Sequence, residues 1–85
     1  MTDVRTLYFY YMDGDYTPQA FGTADKLIAE GDNIHDGELQ HYAEGYAVAL
    51  NARLNIVEID TAEDLAEHAK QLTKYGVYDD FKEIL

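Results

Sequence analysis

The chain has 85 residues, 47% of them apolar, and carries 17 Asp and Glu against 6 Lys and Arg, a formal net charge of -11. This length fits a single domain over residues 1–85, and the apolar fraction is too high for a disordered chain. The sequence has no Cys, which excludes disulfides and thiolate metal sites.

Two strands joined by a turn are predicted at the amino terminus. Thr6–Met12 (TLYFYYM) is β-branched and aromatic at successive positions, which is typical of a strand covered on both faces. Asp13-Gly14 is typical of a two-residue hairpin turn, so a return strand is predicted from Asp15 to about Phe21. Pro18 has no N–H to donate, which predicts that this strand lies at an edge or breaks there.

A short helix and a long helix are predicted next. Thr23 is a candidate N-cap for a helix over Ala24–Glu30, and Gly31 suits the position just past its end. The long helix, from about Gly37 to Arg53, has apolar residues at spacings of three and four, which place them on one face. These residues are Leu39, Tyr42, Ala43, Tyr46, Ala47, Leu50 and Leu54.

The carboxyl-terminal third predicts one strand and one helix. Leu54–Ile59 (LNIVEI) is short and β-branched, which favours a central strand and leaves its direction of pairing open. Thr61 with Asp64 three residues later is close to a capping box, for a helix that Gly76 ends. The tail is expected to dock on the body through Phe81, Ile84 and Leu85.

These elements predict an α+β fold in the order ββααβα. Its sheet has three strands, the amino-terminal β-hairpin plus one later strand, and two to three helices pack on it. Met1 to Arg5 lacks the basic start and apolar run of a signal peptide, and the longest apolar run, Leu7 to Met12, is too short to span a bilayer. We therefore expect a cytoplasmic protein.

No pattern in the sequence predicts catalysis. There is no Cys nucleophile, no Gly-rich elbow around a Thr and no phosphate-binding loop, so we expect no enzyme and no cofactor. The best metal pattern is His35-x-x-Glu38-x-x-His41-x-x-Glu44. Each step of three residues lags by about 60° on a helix, which spreads the four groups around it. A solvated helix face is therefore favoured over a metal site.

The acids are unevenly distributed along the chain. From Ala29 to Asp60 there are seven Asp and Glu against Arg53 alone, which leaves -6 over this stretch. Like charges gathered in one region destabilise the free protein, so we expect a basic partner to compensate. The residues predicted to bind this partner are Glu30, Asp32, Asp36, Glu38 and Glu44, with Asp13, Asp15 and Tyr16 at the hairpin.

An array of carboxylates can occupy a basic surface by imitating nucleic-acid phosphates. In size, charge and lack of a catalytic motif, the chain resembles small acidic proteins of phages and mobile elements, including anti-CRISPR and anti-restriction proteins. The resemblance is one of composition. It implies a non-enzymatic inhibitor, a DNA mimic that blocks a nucleic-acid-binding protein and does not itself bind nucleic acid or membrane. The alternative is a protein-interaction or assembly subunit that binds through a Tyr-bearing apolar surface, with the charge serving solubility.

Overall fold

The computed structural model describes residues 6–14, 16–32 and 38–85, which form an α+β fold with a four-stranded mixed sheet and four helices. The strands are β1 (Thr6–Tyr11), β2 (Pro18–Thr23), β3 (Leu27–Asp32) and β4 (Arg53–Glu58). The helices are α1 (Glu38–Leu50), α2 (Ala62–Glu67), α3 (Ala69–Tyr75) and α4 (Tyr78–Ile84). The sheet order is β3-β2-β1-β4; β2 is antiparallel to both of its neighbours, and β4 is parallel to β1.

Strand β1 supplies side chains to two cores, one on each face of the sheet. Leu7 and Phe9 pack with Ala43 of α1 on one face. Tyr10 packs with Leu72 and with other residues of α2, α3 and α4 on the opposite face. Because side chains alternate between the faces of a strand, one apolar run covers both layers. The prediction that this strand is covered on both faces is confirmed.

The helix predicted over Ala24–Glu30 is wrong, because this segment forms a turn followed by β3. The Thr23 hydroxyl accepts hydrogen bonds from the backbone N–H groups of Asp25 and Lys26, both at 3.1 Å. An N-cap residue makes the same kind of bond, but here it closes the β2–β3 turn together with a backbone bond from Thr23 N–H to Lys26 C=O. The sheet therefore has four strands, and the predicted three-stranded sheet in the order ββααβα is corrected.

The connection between β1 and β2 is longer than the predicted two-residue turn. It covers residues 12–17 and is closed by the buried Thr17, whose hydroxyl donates to Met12 C=O at 2.7 Å and Gly14 C=O at 3.0 Å. β2 lies inside the sheet and not at an edge, but it begins at Pro18 and not at Asp15, which agrees with the predicted alternative of a break at this proline. A proline at the first position of a strand withholds no N–H from the ladder's interior.

Strand β4 lies at an edge of the sheet and not in its centre as predicted. It pairs in parallel with β1, with Thr6 opposite Arg53 and Tyr11 opposite Glu58. Parallel neighbours need a crossover connection, and α1 occupies that connection here. The centre of the sheet belongs instead to β1 and β2, while Ile56 of β4 is 45% exposed.

Helix α1 ends at Leu50, before the predicted end at Arg53. Asn51 has a left-handed backbone (φ 53°), and the Ala52 N–H donates to Ala47 C=O at 2.8 Å. This arrangement is a Schellman motif, in which Asn is an accepted substitute for Gly. The chain is thereby turned into β4.

The single predicted helix that starts after Thr61 is divided into α2 and α3 at His68. Its predicted ends are confirmed: Thr61 and Asp64 form a capping box, and Gly76 ends α3 in the left-handed conformation (φ 78°). Phe81 of α4 is fully buried, so the tail docks on the body through this residue. The other two predicted contacts are wrong, since Ile84 and Leu85 are exposed. None of the helices in the described ranges is long and apolar enough to cross a membrane.

Candidate partner-binding surface

The topology of the sheet brings separate acidic residues together. β1, β3 and β4 run in the same direction, so their carboxyl ends lie on one side of the sheet. α1 also begins there, because Leu39 in its first turn approaches Gly31 near the end of β3. We call the acids at this side the acidic end; they are Asp13 after β1, Asp32 in β3, Glu38 in α1, and Glu58 and Asp60 at the end of β4.

The Tyr11 phenol lies near two of these carboxylates. Burial and the nearby carboxylates of Glu58 and Asp13 raise the pKa of Tyr11, whose phenol also donates a hydrogen bond to Glu58. The Ile59 N–H donates to Tyr11 C=O at 2.8 Å, which extends the β1–β4 pairing past the last strand residue. Parallel pairing therefore fixes the acids that follow β1 and β4 beside each other.

The exposed acids Asp13, Glu38, Glu58 and Asp60 have no ion-pair partner among the described side chains. Within the described ranges, the ion pairs at 4.0 Å or less join His41 to Glu44 and His68 to Glu67, and neither involves the acidic end. The exposed carboxylates of this group are therefore available to an external partner.

Asp64 lies near this group but has a local structural role. Its carboxylate accepts hydrogen bonds from the backbone N–H groups of Asp60 and Thr61, at 3.0 and 3.1 Å. These bonds lower the pKa of Asp64 below its usual value. Asp64 thus stabilises the first turn of α2, and we leave it out of the acidic end.

Cations gather at the opposite end of the sheet. Arg53 pairs with Thr6 at the start of β1, Lys26 lies in the β2–β3 turn, and the Lys74 ammonium is 3.4 Å from Ala24 C=O in the same turn. Asp25 lies among them, and the exposed acids Asp79 and Asp80 of α4 follow soon after the end of α3. These three cations therefore lie at the end of the sheet opposite to the acidic end.

The structure brings some of the predicted binding residues together and separates others. Asp13, Asp32 and Glu38 lie at the acidic end, with Tyr16 in the same β1–β2 connection as Asp13. Glu30 is exposed on the edge strand β3, and Glu44 is exposed about 9 Å along α1 from Glu38. Two further predicted residues, Asp15 and Asp36, lie outside the described residues.

Tyr16 is the most exposed aromatic residue of this region. Its side chain is 72% exposed, and its backbone is left-handed (φ 60°). A left-handed conformation is unfavourable for a residue with a Cβ, by about 1 kcal/mol. The fold therefore presents this ring to solvent at a cost in stability, beside the exposed carboxylate of Asp13.

Glu58 and Asp60 were not among the residues predicted to bind a partner. Glu58 lies within a strand in the sequence, and Asp60 resembles a helix-capping acid, so neither is conspicuous locally. Only the parallel pairing of β4 with β1 brings them next to Asp13. A strand–helix–strand interpretation of residues 6–59 is the signal that would have found them, since the carboxyl ends of parallel strands meet at one edge.

The metal pattern weighed from the sequence gains no support from the described geometry. His41 Nδ1 lies 3.4 Å from Glu44 Oε1, as in an ordinary exposed helix pair. His35 lies outside the described residues. Among the residues that the structure describes, no three His, Asp or Glu side chains are placed to hold one metal ion.

No protein-family model, no curated protein and no solved structure matches this chain. Its function is therefore inferred from the geometry and charge of its own residues.

Proposed function

We propose that this chain is a non-enzymatic binding protein whose acidic end docks on the basic surface of a nucleic-acid-binding protein. The carboxylates take the place of nucleic-acid phosphates, so the partner is inhibited by competition. This is the mode of action of the small acidic phage and mobile-element inhibitors that the chain resembles in composition. The chain itself binds no nucleic acid, because its net charge of -11 repels phosphate.

The observation that carries the proposal is the gathering of exposed carboxylates from separate elements at one end of the sheet. Asp13 and Glu38 are distant in sequence from Glu58 and Asp60, and three of the described cations, Lys26, Arg53 and Lys74, lie at the other end. Carboxylates gathered in this way steer a basic surface towards one face and speed its association. Their gathering also destabilises the free chain, which is consistent with a function that benefits from it.

Tyr16 adds an exposed aromatic side chain to the charged groups of the acidic end. Binding energy in protein interfaces is concentrated in a few buried side chains, among which Tyr is over-represented, with charged groups around them. An exposed ring next to Asp13 fits this pattern. We propose Tyr16 as the aromatic anchor and the acidic end as the surrounding rim.

The experiment is capture of partners from a bacterial lysate on the immobilised chain, followed by mass spectrometry. Three chains are compared: the natural one, an acidic-end variant (Asp13→Asn, Glu58→Gln, Asp60→Asn) and a control variant (Asp25→Asn, Glu67→Gln, Asp79→Asn). Both variants lose three negative charges, but only the first loses them at the acidic end. Adding salt and duplex DNA to the washes then tests competition.

We expect the natural chain and the control variant to retain one nucleic-acid-binding protein, which salt and duplex DNA both release. The acidic-end variant should bind that protein at least tenfold more weakly, because charges in contact act locally while net charge acts at long range. A second variant (Glu30→Gln, Asp32→Asn, Glu38→Gln) shows whether the β3 side also contacts the partner. Equal capture by the acidic-end and control variants would rule out the proposed surface.

A second candidate is an interaction or assembly subunit that binds through a Tyr-bearing apolar surface. The observation in its favour is that Tyr42 of α1 is half exposed, and its ring lies 6.0 Å from the ring of Tyr46 and 6.2 Å from that of Phe21. Phe21 is fully buried, so the exposed part of this cluster, the aromatic patch, consists of Tyr42 and the partly buried Tyr46. Burial of such a patch is not screened by salt.

The two candidates differ in their salt dependence. Binding through the aromatic patch should survive about 1 M NaCl, ignore duplex DNA and be weakened by Tyr42→Ser. Tyr42→Phe is the matched control, because it keeps the ring and removes only the hydroxyl. Binding that disappears at high salt but is unaffected by Tyr42→Ser would exclude this second candidate.

A further inference from the structure

A cleft of about 440 Å³ lies between β1, the β2–β3 turn and α3, on the face of the sheet away from α1. Its size is in the range of small-molecule sites. Its floor is formed by Tyr8 and Tyr10 of β1, and α3 contributes Lys70, Gln71 and Lys74. The acidic end belongs to other residues, so this cleft is a separate feature.

The charge of the cleft differs from that of the chain as a whole. Lys70 and Lys74 are matched by Asp25 and Glu67, two cations against two acids, while the whole chain has 6 cations and 17 acids. The side chain of Glu67 is 74% exposed, and its carboxylate is 3.3 Å from His68 Nε2. The cleft is therefore balanced in charge, and its two lysines can attract an anion in a chain that is otherwise strongly acidic.

Gln71 is the observation that points to a ligand. Its Nε2 is buried and has no hydrogen-bond partner among the described residues. A buried donor without an acceptor costs about 1–3 kcal/mol, so such groups usually have a use. Gln71 lines the cleft on the same helix as Lys70 and Lys74. Three side chains with hydrogen-bond donors, Lys70, Gln71 and Lys74, therefore border the cleft.

The floor of the cleft, formed by β1, is aromatic. The rings of Tyr8 and Tyr10 are stacked, with centroids 6.3 Å apart and planes 17° from parallel. His68 packs edge-on against Tyr10, with centroids 5.3 Å apart. Tyr8 is only partly buried, so its ring offers a flat apolar surface to anything seated between β1 and α3.

We propose that this cleft binds a small organic anion, with its carboxylate or phosphate held by Gln71 Nε2, Lys70 and Lys74 and its planar body against Tyr8. The Gln71 side chain is only partly buried, so a change of rotamer brings its buried Nε2 to the ligand, where it gains the acceptor that the described residues do not supply. The ammonium groups provide the charge, and the ring favours a flat ligand over a bare ion. This site is independent of the proposed partner-binding surface.

The test is a titration of the ¹⁵N-labelled chain followed by backbone amide shifts in NMR spectra. Benzoate and phenyl phosphate serve as anionic aromatic probes, benzyl alcohol as the neutral aromatic control, and inorganic phosphate as the anion without a ring. We expect saturable shifts for Tyr8 and for residues 68–74 with both aromatic anions, with a Kd on the order of 1 mM, as is usual for probes of this size. The tighter of the two identifies a carboxylate or a phosphate monoester as the preferred group.

Three variants make the assignment specific. Gln71→Glu keeps the size of the side chain but replaces the donor with a carboxylate, and Lys74→Gln removes a charge from an exposed residue while keeping a donor that can reach towards Ala24 C=O. Each should weaken binding of the anionic probes at least fivefold. Lys82→Gln, the same charge change on α4 outside the cleft, should leave it unchanged. The proposal is overturned if benzyl alcohol binds as tightly as benzoate, if shifts do not saturate, or if Lys82→Gln weakens binding as much as Lys74→Gln.

Discussion

The phenol of Tyr75 at the end of α3 donates a hydrogen bond to the backbone carbonyl of Thr23, 52 positions earlier in the chain. This bond ties the last turn of α3 to the β2–β3 turn. The same packing requires glycine at position 22. A Cβ on Gly22 would lie 2.9 Å from the Tyr75 ring and would clash with the backbone of Lys26 and Leu27. The β2–β3 turn and α3 are therefore packed as one unit.

Replacing these residues should destabilise the chain to different degrees. Tyr75→Phe removes one hydrogen bond and should lower the free energy of unfolding by about 1 kcal/mol. Gly22→Ala introduces a clash with backbone atoms and should cost on the order of 3 kcal/mol. Gly45→Ala is the matched control: its Cβ would meet nothing within 4 Å on an exposed helix face, so stability should rise by about 1 kcal/mol. Urea denaturation measures all three, and a harmless Gly22→Ala would contradict the packing.

The buried phenols predict loss of stability in alkaline solution. Burial, with a smaller effect of the Tyr8 phenol, raises the pKa of Tyr10 to about 12, and burial raises that of Tyr75 well above its usual value of 10.0. When the pKa of a group is higher in the folded than in the unfolded chain, its protonated form stabilises the fold. This contribution is complete at pH values below the unfolded pKa and is lost as pH rises through the folded pKa. Between pH 10 and about 12 the free energy of unfolding should therefore fall, by about 1.4 kcal/mol per pH unit for each of the two residues.

Denaturation with urea at a series of pH values from 8 to about 12 checks this expectation. Tyr10→Phe removes one titrating phenol and should reduce the slope above pH 10, to which Tyr75 and Tyr11 still contribute. The same slope in the natural chain and in Tyr10→Phe would show that Tyr10 titrates alike in the folded and unfolded states.

The features that the sequence predicts well are those decided by neighbouring residues. The capping box of Thr61 and Asp64 and the left-handed end at Gly76 need only a few adjacent positions, and both are confirmed. The helix predicted after Thr23 is wrong because it, too, is based on neighbouring residues alone. A Thr hydroxyl that accepts hydrogen bonds from the next N–H groups can begin a helix or close a turn equally well.

The candidate surface depends on contacts that no local pattern contains. Asp13 and Glu58 are 45 positions apart, and they lie at the same end of the sheet because β4 pairs in parallel with β1, which the sequence leaves open. The Val and Ile residues of β4 suit a central strand as well as an edge strand. The acidic end therefore depends on where β3 and β4, the strands before and after α1, lie in the sheet.

Charge repulsion at the acidic end predicts a salt-dependent stability. Raising NaCl from about 20 mM to about 500 mM shortens the screening length and should raise the melting temperature of the natural chain. The acidic-end variant (Asp13→Asn, Glu58→Gln, Asp60→Asn) should melt higher at low salt and gain less from added salt. The control variant (Asp25→Asn, Glu67→Gln, Asp79→Asn) should show a smaller change, because its acids are spread over the molecule. Identical salt responses would mean that the repulsion is not concentrated at this end.

The unpartnered amide of Gln71 predicts that a less polar side chain stabilises the chain. Gln71→Leu keeps a similar volume and a good helix former while removing the buried donor, so the free energy of unfolding should rise by about 1 kcal/mol. Gln71→Glu is the comparison variant: burial of its carboxylate should lower the free energy of unfolding. A loss of stability in Gln71→Leu would show that the amide has a stabilising role in the free chain, and would remove the reason to assign it to a ligand.

The exposed ring of Tyr16 predicts opposite effects on stability and on binding. Asn tolerates the left-handed backbone at this position better than Tyr, so Tyr16→Asn should leave the free energy of unfolding unchanged or raise it by about 0.5–1 kcal/mol. Affinity for the captured partner should fall at least tenfold, because an anchoring ring is lost from the interface. Tyr16→Phe keeps the ring and should retain most of the affinity. Stability that falls together with affinity would make Tyr16 a structural residue, whereas unchanged affinity in Tyr16→Asn would place the interface elsewhere and leave the left-handed backbone at Tyr16 without a functional reason.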